Sequence, residues 1–151
     1  MSYNWRGRGG FGRGGSGGPP WAGGPWTPPQ MPSLPRPPPG ATRVAVPVED
    51  NRGLDSTISW RMGRASYIAI VDVVEGRVAG VNVVPNAVAG APRGAGIALG
   101  QWLLSIGVNV VVAPRVGPNI AYVLQQGGVR VEVAPPGSRV RDALRNLGIA
   151  C

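Results

Sequence analysis

The chain has 151 residues and a net charge of +8, and all 15 of its basic side chains are arginines. It contains no histidine, no lysine and a single cysteine, which is the last residue. These absences exclude a Ser-His-Asp or Cys-His nucleophile, a histidine-ligated zinc site, a phosphate-loop lysine and a cluster held by several thiolates of one chain. The chain has few side chains that could act as a general acid or base near neutral pH, so we expect a protein that is not an enzyme.

The composition divides the chain into a tail and a folded domain. Residues 1–40 contain 11 of the 25 glycines and 10 of the 17 prolines, with only 9 apolar residues. The remaining 111 residues contain 56 apolar residues. Only this second part can bury a core, so we expect a disordered tail over residues 1–41 and one α/β domain over residues 42–151.

The tail combines arginines with aromatic residues. Residues 1–18 are rich in arginine and glycine, and residues 19–39 are rich in proline. Because arginine contacts phosphates and aromatic rings stack on bases, the tail is a candidate for binding RNA or single-stranded DNA. The candidate contact residues are Trp5, Arg6, Arg8, Phe11 and Arg13. The alternative is a solubilising extension that has no partner, or one that binds an unidentified protein.

The periodicity of the apolar residues predicts five strands and three helices in the domain. In chain order they are strands over residues 42–48, 67–74 and 78–84, a helix over 94–106, a strand over 108–113, a helix over 118–126, a strand over 129–133 and a last helix capped by Ser138. Residues 54–66 show no sustained period and are expected to form a long loop. The order β-β-β-α-β-α-β-α predicts a mixed five-stranded sheet flanked by helices, with the last two strands parallel.

One uncharged stretch, from Gly94 to Pro114, is long enough to span a membrane. A change of period at Gly107 favours a core helix followed by a buried strand instead. Residues 1–20 lack the apolar segment of a secretory signal, so we expect a cytoplasmic protein without membrane insertion.

Three loops are expected to meet at the carboxyl ends of the parallel strands, provided that the first strand lies beside the fourth. The loops cover residues 49–66, 86–96 and 114–119. They carry five arginines, which are Arg52, Arg61, Arg64, Arg93 and Arg115. Two of the loops lead into helices that begin with glycine, and a helix N-terminus attracts anions through its free N–H groups. The pattern predicts an anion site; the alternative is that these arginines are solvated surface residues.

Six short motifs follow one another along the domain. They are Met62-Gly63-Arg64-Ala65 before Tyr67, Asn82 to Asn86, Gly94-Ala95-Gly96-Ile97, Gly107 to Ala113, Gly117-Pro118-Asn119 and Gly127-Gly128-Val129-Arg130-Val131. Together, over about residues 42–148, they resemble the dinitrogenase iron–molybdenum cofactor biosynthesis family, the NifX/NafY-like domain. The resemblance implies a ribonuclease H-like fold. It also implies a non-enzymatic carrier or accessory protein for an anionic iron–molybdenum or iron–sulfur type cluster.

The chain departs from that family at two positions. The family commonly has a His-Phe pair before Gly-Arg, where this chain has Arg61 and Met62. It often has a histidine before the first helix, where this chain has Gly90-Ala91-Pro92-Arg93. The pattern therefore favours binding of a preformed cluster through charge and backbone N–H groups over direct metal ligation. The candidate cluster-binding residues are Arg61, Met62, Gly63, Arg64, Arg93, Gly94, Gly96, Arg115, Gly117 and Asn119.

A nuclease is a further alternative, because the implied fold type is shared with nucleases. Glu49, Asp50 and Asp55 cluster after the first strand. The fourth strand, however, ends in Ala113-Pro114-Arg115 without an acid, which disfavours two-metal phosphoryl chemistry.

Overall fold

The computed structural model describes residues 31–60, 62–89 and 95–151. Its elements are β1 (Thr42–Val48), β2 (Tyr67–Val74), β3 (Arg77–Pro85), α1 (Ala95–Ser105), β4 (Val110–Ala113), α2 (Pro118–Gln126), β5 (Arg130–Val133) and α3 (Val140–Asn146), with short 3-10 turns at Gly53–Asp55 and Met62–Arg64. The predicted α/β class and the predicted order of strands and helices are confirmed. Of the described residues, none lies in a helix long and apolar enough to cross a membrane.

The sheet is mixed and has the strand order β3-β2-β1-β4-β5. β1 is antiparallel to β2, and β2 is antiparallel to β3. β4 runs parallel to both β1 and β5. The condition for the predicted meeting of loops, that the first strand lies beside the fourth, is therefore met. The carboxyl ends of β1, β4 and β5 lie at one end of the sheet.

Each face of the sheet has its own core, because alternate residues of a strand point to opposite faces. On one face, α1 and α2 pack over Ala45, Ile68 and Ile70. On the other face, α3 packs over Val44 and Val46. β2 is buried along most of its length, as its apolar run predicts.

Glycines allow α1 and α2 to run parallel at close range. A Cβ atom on Gly100 would lie 2.9 Å from Cβ of Val123, and a Cβ atom on Gly127 would meet the side chain of Leu104. Both helices begin at the same end of the sheet, because α1 leads into β4 and α2 leaves it. The close packing therefore brings the two helix N-termini together.

Residues 31–41, called here the proline strap, lie on the domain beside α1. The side chains of Met31 and Leu34 pack against the core under α1 and α2. The indole N–H of Trp102 donates to the carbonyl oxygen of Pro32 at 3.0 Å. This differs from the predicted tail, which extends to residue 41. The strap is held by two apolar side chains and by its carbonyl groups, and the local composition does not reveal such long-range contacts.

A buried arginine joins the strap to the sheet. Arg43 is 1% exposed and donates from Nε and Nη2 to the carboxylate of Asp72, at 2.7 and 3.0 Å. Its Nη1 donates to Ile106 O at 2.8 Å and its Nη2 donates to Pro35 O at 3.0 Å. One side chain thus links β1, β2, the residue after α1 and the strap.

Two local predictions need correction. The residue before α3 is Arg139, without a side-chain cap, whereas the predicted cap Ser138 donates its hydroxyl to Pro135 O at 2.6 Å. The predicted long loop is partly paired, since Ile58 forms a bridge with Val48. The same segment also pairs with the start of α3: Thr57 forms a bridge with Arg139, and the N–H of Ile58 donates to Ser138 O at 2.8 Å.

Candidate functional site

The carboxyl ends of β1, β3 and β4 lie at one end of the sheet and lead into one group of loops, called here the loop cluster (residues 62–65, 86–89 and 115–120). The N–H of Met62 donates to Arg115 O at 3.4 Å. A Cβ atom on Gly63 would lie 3.3 Å from Cδ1 of Ile120. Residues 62–65 and 115–120 therefore meet, as the topology predicts.

Asn86 fastens two of these segments together. Its side chain is buried, and its Nδ2 donates to the carbonyl oxygen of Ala65 at 3.0 Å. Its Oδ1 accepts the N–H of Val88 at 3.2 Å. Sequence reasoning did not single out this residue as functional, because an asparagine near a strand end equally predicts an exposed turn.

Two of the predicted arginines, Arg64 and Arg115, lie in the loop cluster and are exposed. Nη1 of Arg64 donates to Ala89 O at 2.9 Å, which ties this side chain to the second segment. Over the described ranges of the chain, neither arginine forms an ion pair with a carboxylate. Their charges therefore add to the field at this end of the sheet.

Arg52 has a different environment, although it also follows β1. Its Nη2 lies 2.7 Å from Oδ2 of Asp50, and the neighbouring Leu54 packs into the core on the α3 face. The N–H of Thr57 donates to Asp50 at 2.9 Å. This hydrogen bond, followed by the guanidinium of Arg52, holds the pKa of the Asp50 carboxyl below its usual value. Arg52 is thus neutralised away from the loop cluster.

The N-terminus of α2 faces the same cluster. Gly117 precedes the helix without a side-chain cap, and Pro118 is its first residue. The first N–H groups of a helix have no acceptor within it, and they carry about half a positive charge. A Cβ atom on Gly96 would lie 3.2 Å from Cβ of Asn119, so the start of α1 lies against this terminus.

Met62 is not a surface residue. It was predicted to contact a ligand, but its side chain is fully buried in the core under α1 and α2. Its N–H is already bonded to Arg115 O. The side chain of Met62 therefore supports the loop cluster from below, and contact of this residue with a ligand stays a prediction.

The acidic residues after β1 do not converge. Asp50 is bonded to Arg52 and Thr57, while Asp55 pairs with Arg141 at 3.2 Å. The part of the chain that the structure describes contains no group of three or more His, Cys, Asp or Glu residues that could hold a metal ion.

Several candidate residues lie outside the described residues. From the predicted cluster site these are Arg61, Arg93 and Gly94. From the predicted nucleic-acid site they are Trp5, Arg6, Arg8, Phe11 and Arg13. Contact of the tail with RNA or single-stranded DNA stays a prediction. Beside Arg61, the structure shows Trp60 64% exposed, an aromatic residue that the sequence patterns did not single out.

The fold and the loop cluster define the class of protein: a small α/β domain in which two exposed arginines lie where parallel strands end. Residues 42–148 match the family described as "Dinitrogenase iron-molybdenum cofactor", and the chain belongs to this family. The family predicted from the motifs is thereby confirmed.

Solved structures and a curated relative agree with this assignment. The orange protein of Desulfovibrio gigas, solved in its apo form, is 32% identical with a TM-score of 0.61; the match covers 70% of this chain and 86% of that one. A Thermotoga protein provisionally named NifB is 36% identical with a TM-score of 0.59, over the same shares. An uncharacterised protein of Methanocaldococcus jannaschii is 25% identical over 89 residues, which are 59% of this chain and 71% of the relative.

Proposed function

We propose that this protein is a cytoplasmic carrier or accessory protein that binds an anionic metal–sulfur cluster of the iron–molybdenum or iron–sulfur type and does not catalyse a reaction on it. Family membership supports the class of ligand. The orange protein, a solved relative, was determined in an apo form, which supports the binding of a ligand by that relative. The observation that carries the proposal is that Arg64, Arg115 and the N-terminus of α2 belong to one loop cluster. We further propose that the fold is ribonuclease H-like, as the resemblance implies.

The donor groups of this chain fit the outside of a preformed cluster rather than its metal atoms. The sequence has no histidine, and its single cysteine, Cys151, lies 3.9 Å from Arg141 O near α3. The groups at the loop cluster are guanidinium and backbone N–H donors. Such donors bond to anionic sulfur or oxygen atoms, and charge-assisted hydrogen bonds are about twice as strong as neutral ones. The cluster would therefore be cargo that arrives and leaves intact.

Binding of the cluster by charge should make its affinity depend on the salt concentration. The guanidinium groups of Arg64 and Arg115 are exposed, so salt screens their attraction for an anion. The Debye length falls from about 10 Å at 0.1 M salt to about 3 Å at 1 M. We therefore expect the affinity for a cluster anion to fall steeply across this range.

The test is an anaerobic titration of the full chain with tetrathiomolybdate, followed by absorbance and by metal content after desalting. We expect stoichiometric retention. Arg64→Ala and Arg115→Ala should each weaken binding by about tenfold, because each removes a charged hydrogen bond that contributes about 1.5–3 kcal/mol.

The matched control is Arg52→Ala. It removes the same charge from an exposed arginine, but one that is paired with Asp50 beside the α3 face. We expect the affinity of this variant for tetrathiomolybdate to stay within about twofold of that of the native chain. Unchanged binding in both test variants, or an equal loss in the control, would overturn the proposed site.

A further inference from the structure

The outer edge of β5 presents unpaired backbone groups. The N–H of Arg130 donates to Asn109 O at 3.0 Å, just before β4 begins. The N–H of Ala134 donates to Ala113 O, at the end of β4, at 3.3 Å. Because successive residues of a strand direct their backbone groups to opposite sides, those of Val131 and Val133 point away from β4. β5 is the last strand of the sheet, so in the described part of the chain no strand lies beside them.

The same two residues expose apolar side chains. Val131 is 40% exposed and Val133 is 81% exposed. A strand edge that combines free backbone groups with apolar side chains is a template for pairing with another strand.

The opposite edge of the sheet is protected. β3 pairs at its start with the chain terminus, where Arg77 forms a bridge with Ala150 and the N–H of Val78 donates to Ala150 O at 2.9 Å. β3 ends in Pro85, which has no N–H to offer. β3 also carries a β-bulge, because Asp72 and Val73 pair with Gly80 and Val78 and leave Ala79 as an extra residue. β5 itself contains neither a proline nor a bulge, so the two edges differ in how readily they accept another strand.

We propose that β5 pairs with β5 of a second copy of this chain, antiparallel about a twofold axis at Val131, and joins the two five-stranded sheets of a homodimer. The twofold axis makes the contact self-complementary and closed.

Charge selects this register. Within one chain, Nε of Arg130 already lies 2.8 Å from Oε2 of Glu132. With Val131 opposite the partner's Val131, Arg130 lies opposite the partner's Glu132, so the two pairs form a network of four alternating charges across the axis. A pairing centred on Glu132 would instead set two carboxylates directly opposite each other, which is destabilising. The chosen register also sets Val133 opposite the partner's Val129, and both are apolar.

The test is sedimentation velocity of the full chain from low to high micromolar concentration. A four-residue strand is a small contact, so we expect a micromolar association in which the mass rises from 15.6 kDa toward twice that value. Val133→Lys should abolish the rise, since it places a lysine at the outer edge. Arg130→Glu should weaken association about tenfold or more by placing carboxylates opposite each other.

Two further variants keep the outcome decisive. Arg130→Glu combined with Glu132→Arg restores opposite charges across the axis and should restore association. Ile97→Lys alters an exposed apolar residue on α1 that is 48% exposed, and the dimer should persist in this control. A native chain that stays monomeric throughout would overturn the proposal. So would a dimer that survives Val133→Lys, a double variant that stays monomeric, or a control that dissociates equally.

Discussion

Replacing Arg43 by methionine tests how the sheet, α1 and the proline strap are held together. The side chains of Arg43 and Asp72 are 1% and 9% exposed. Methionine keeps much of the length of the side chain but removes its charge, so the Asp72 carboxylate would stay buried without its partner. Breaking such a pair from one side costs about 3–5 kcal/mol. A domain of this size is stable by only about 5–15 kcal/mol, so the loss should shift the denaturation midpoint strongly.

The assay is urea denaturation at neutral pH, followed by circular dichroism. Arg43→Met combined with Asp72→Leu should be more stable than Arg43→Met alone, although it removes more polar groups, because no uncompensated charge remains. Arg52→Met is the matched control in an exposed pair and should cost less than about 1 kcal/mol. A loss below about 1 kcal/mol in Arg43→Met, or a double variant less stable than the single one, would refute the reasoning.

Two more predictions concern the helix interface and the loop after β1. Gly100→Ala should lower thermal stability, because a Cβ atom 2.9 Å from Val123 costs about 1–3 kcal/mol in overpacking against a gain of about 1 kcal/mol in helix propensity. Gly80→Ala has open space around it and should not destabilise; equal losses would contradict the interface. Asp50→Asn should lower stability at neutral pH by less than about 1 kcal/mol. Because the hydrogen bond from Thr57 lowers the pKa of Asp50, this stabilisation exists above the unfolded pKa and is lost as pH falls through the folded pKa. In denaturation curves the difference between native and variant should shrink on acidification, and a growing difference would contradict it.

Local patterns predicted most of the fold. The alternation of Val44, Val46 and Val48 defines one face of β1, and all three are buried as that pattern predicts. Gly107 was predicted to end the first helix, and its φ of 81° is one that glycine adopts without strain. Pro118 was predicted as a first helical residue and occupies that position. These signals succeed because each depends on a residue and its near neighbours.

Long-range contacts explain what the sequence did not predict. Arg43 alternates with apolar residues in β1 as an exposed arginine would, and only the register with β2 sets it opposite Asp72. The strap has the composition of a disordered segment, yet the Trp102 indole and the Arg43 guanidinium donate hydrogen bonds to its carbonyl groups. Met62 was assigned to a ligand because of its place in a motif, whereas its side chain completes a core. In each case the partner is distant in sequence, so no local period reports it.

The same distinction separates the scaffold of the candidate site from its chemistry. The scaffold depends on small residues: Gly63 and Gly96 allow close approach to the start of α2, and a side chain at either position would press on Ile120. The chemistry depends on exposed arginines, which need no partner to hold them in the fold. Under the proposed function, a cluster held by charge and N–H donors has no metal–ligand bond to the protein that must break before release. Salt, or a more strongly cationic acceptor, would then be enough to remove it, as carriage requires. The resemblance implies histidines near Arg61 and within residues 90–93, where this chain has none. Under the proposed function, their absence shifts the balance from retention of the cluster toward its transfer, while the glycine-built scaffold stays the same.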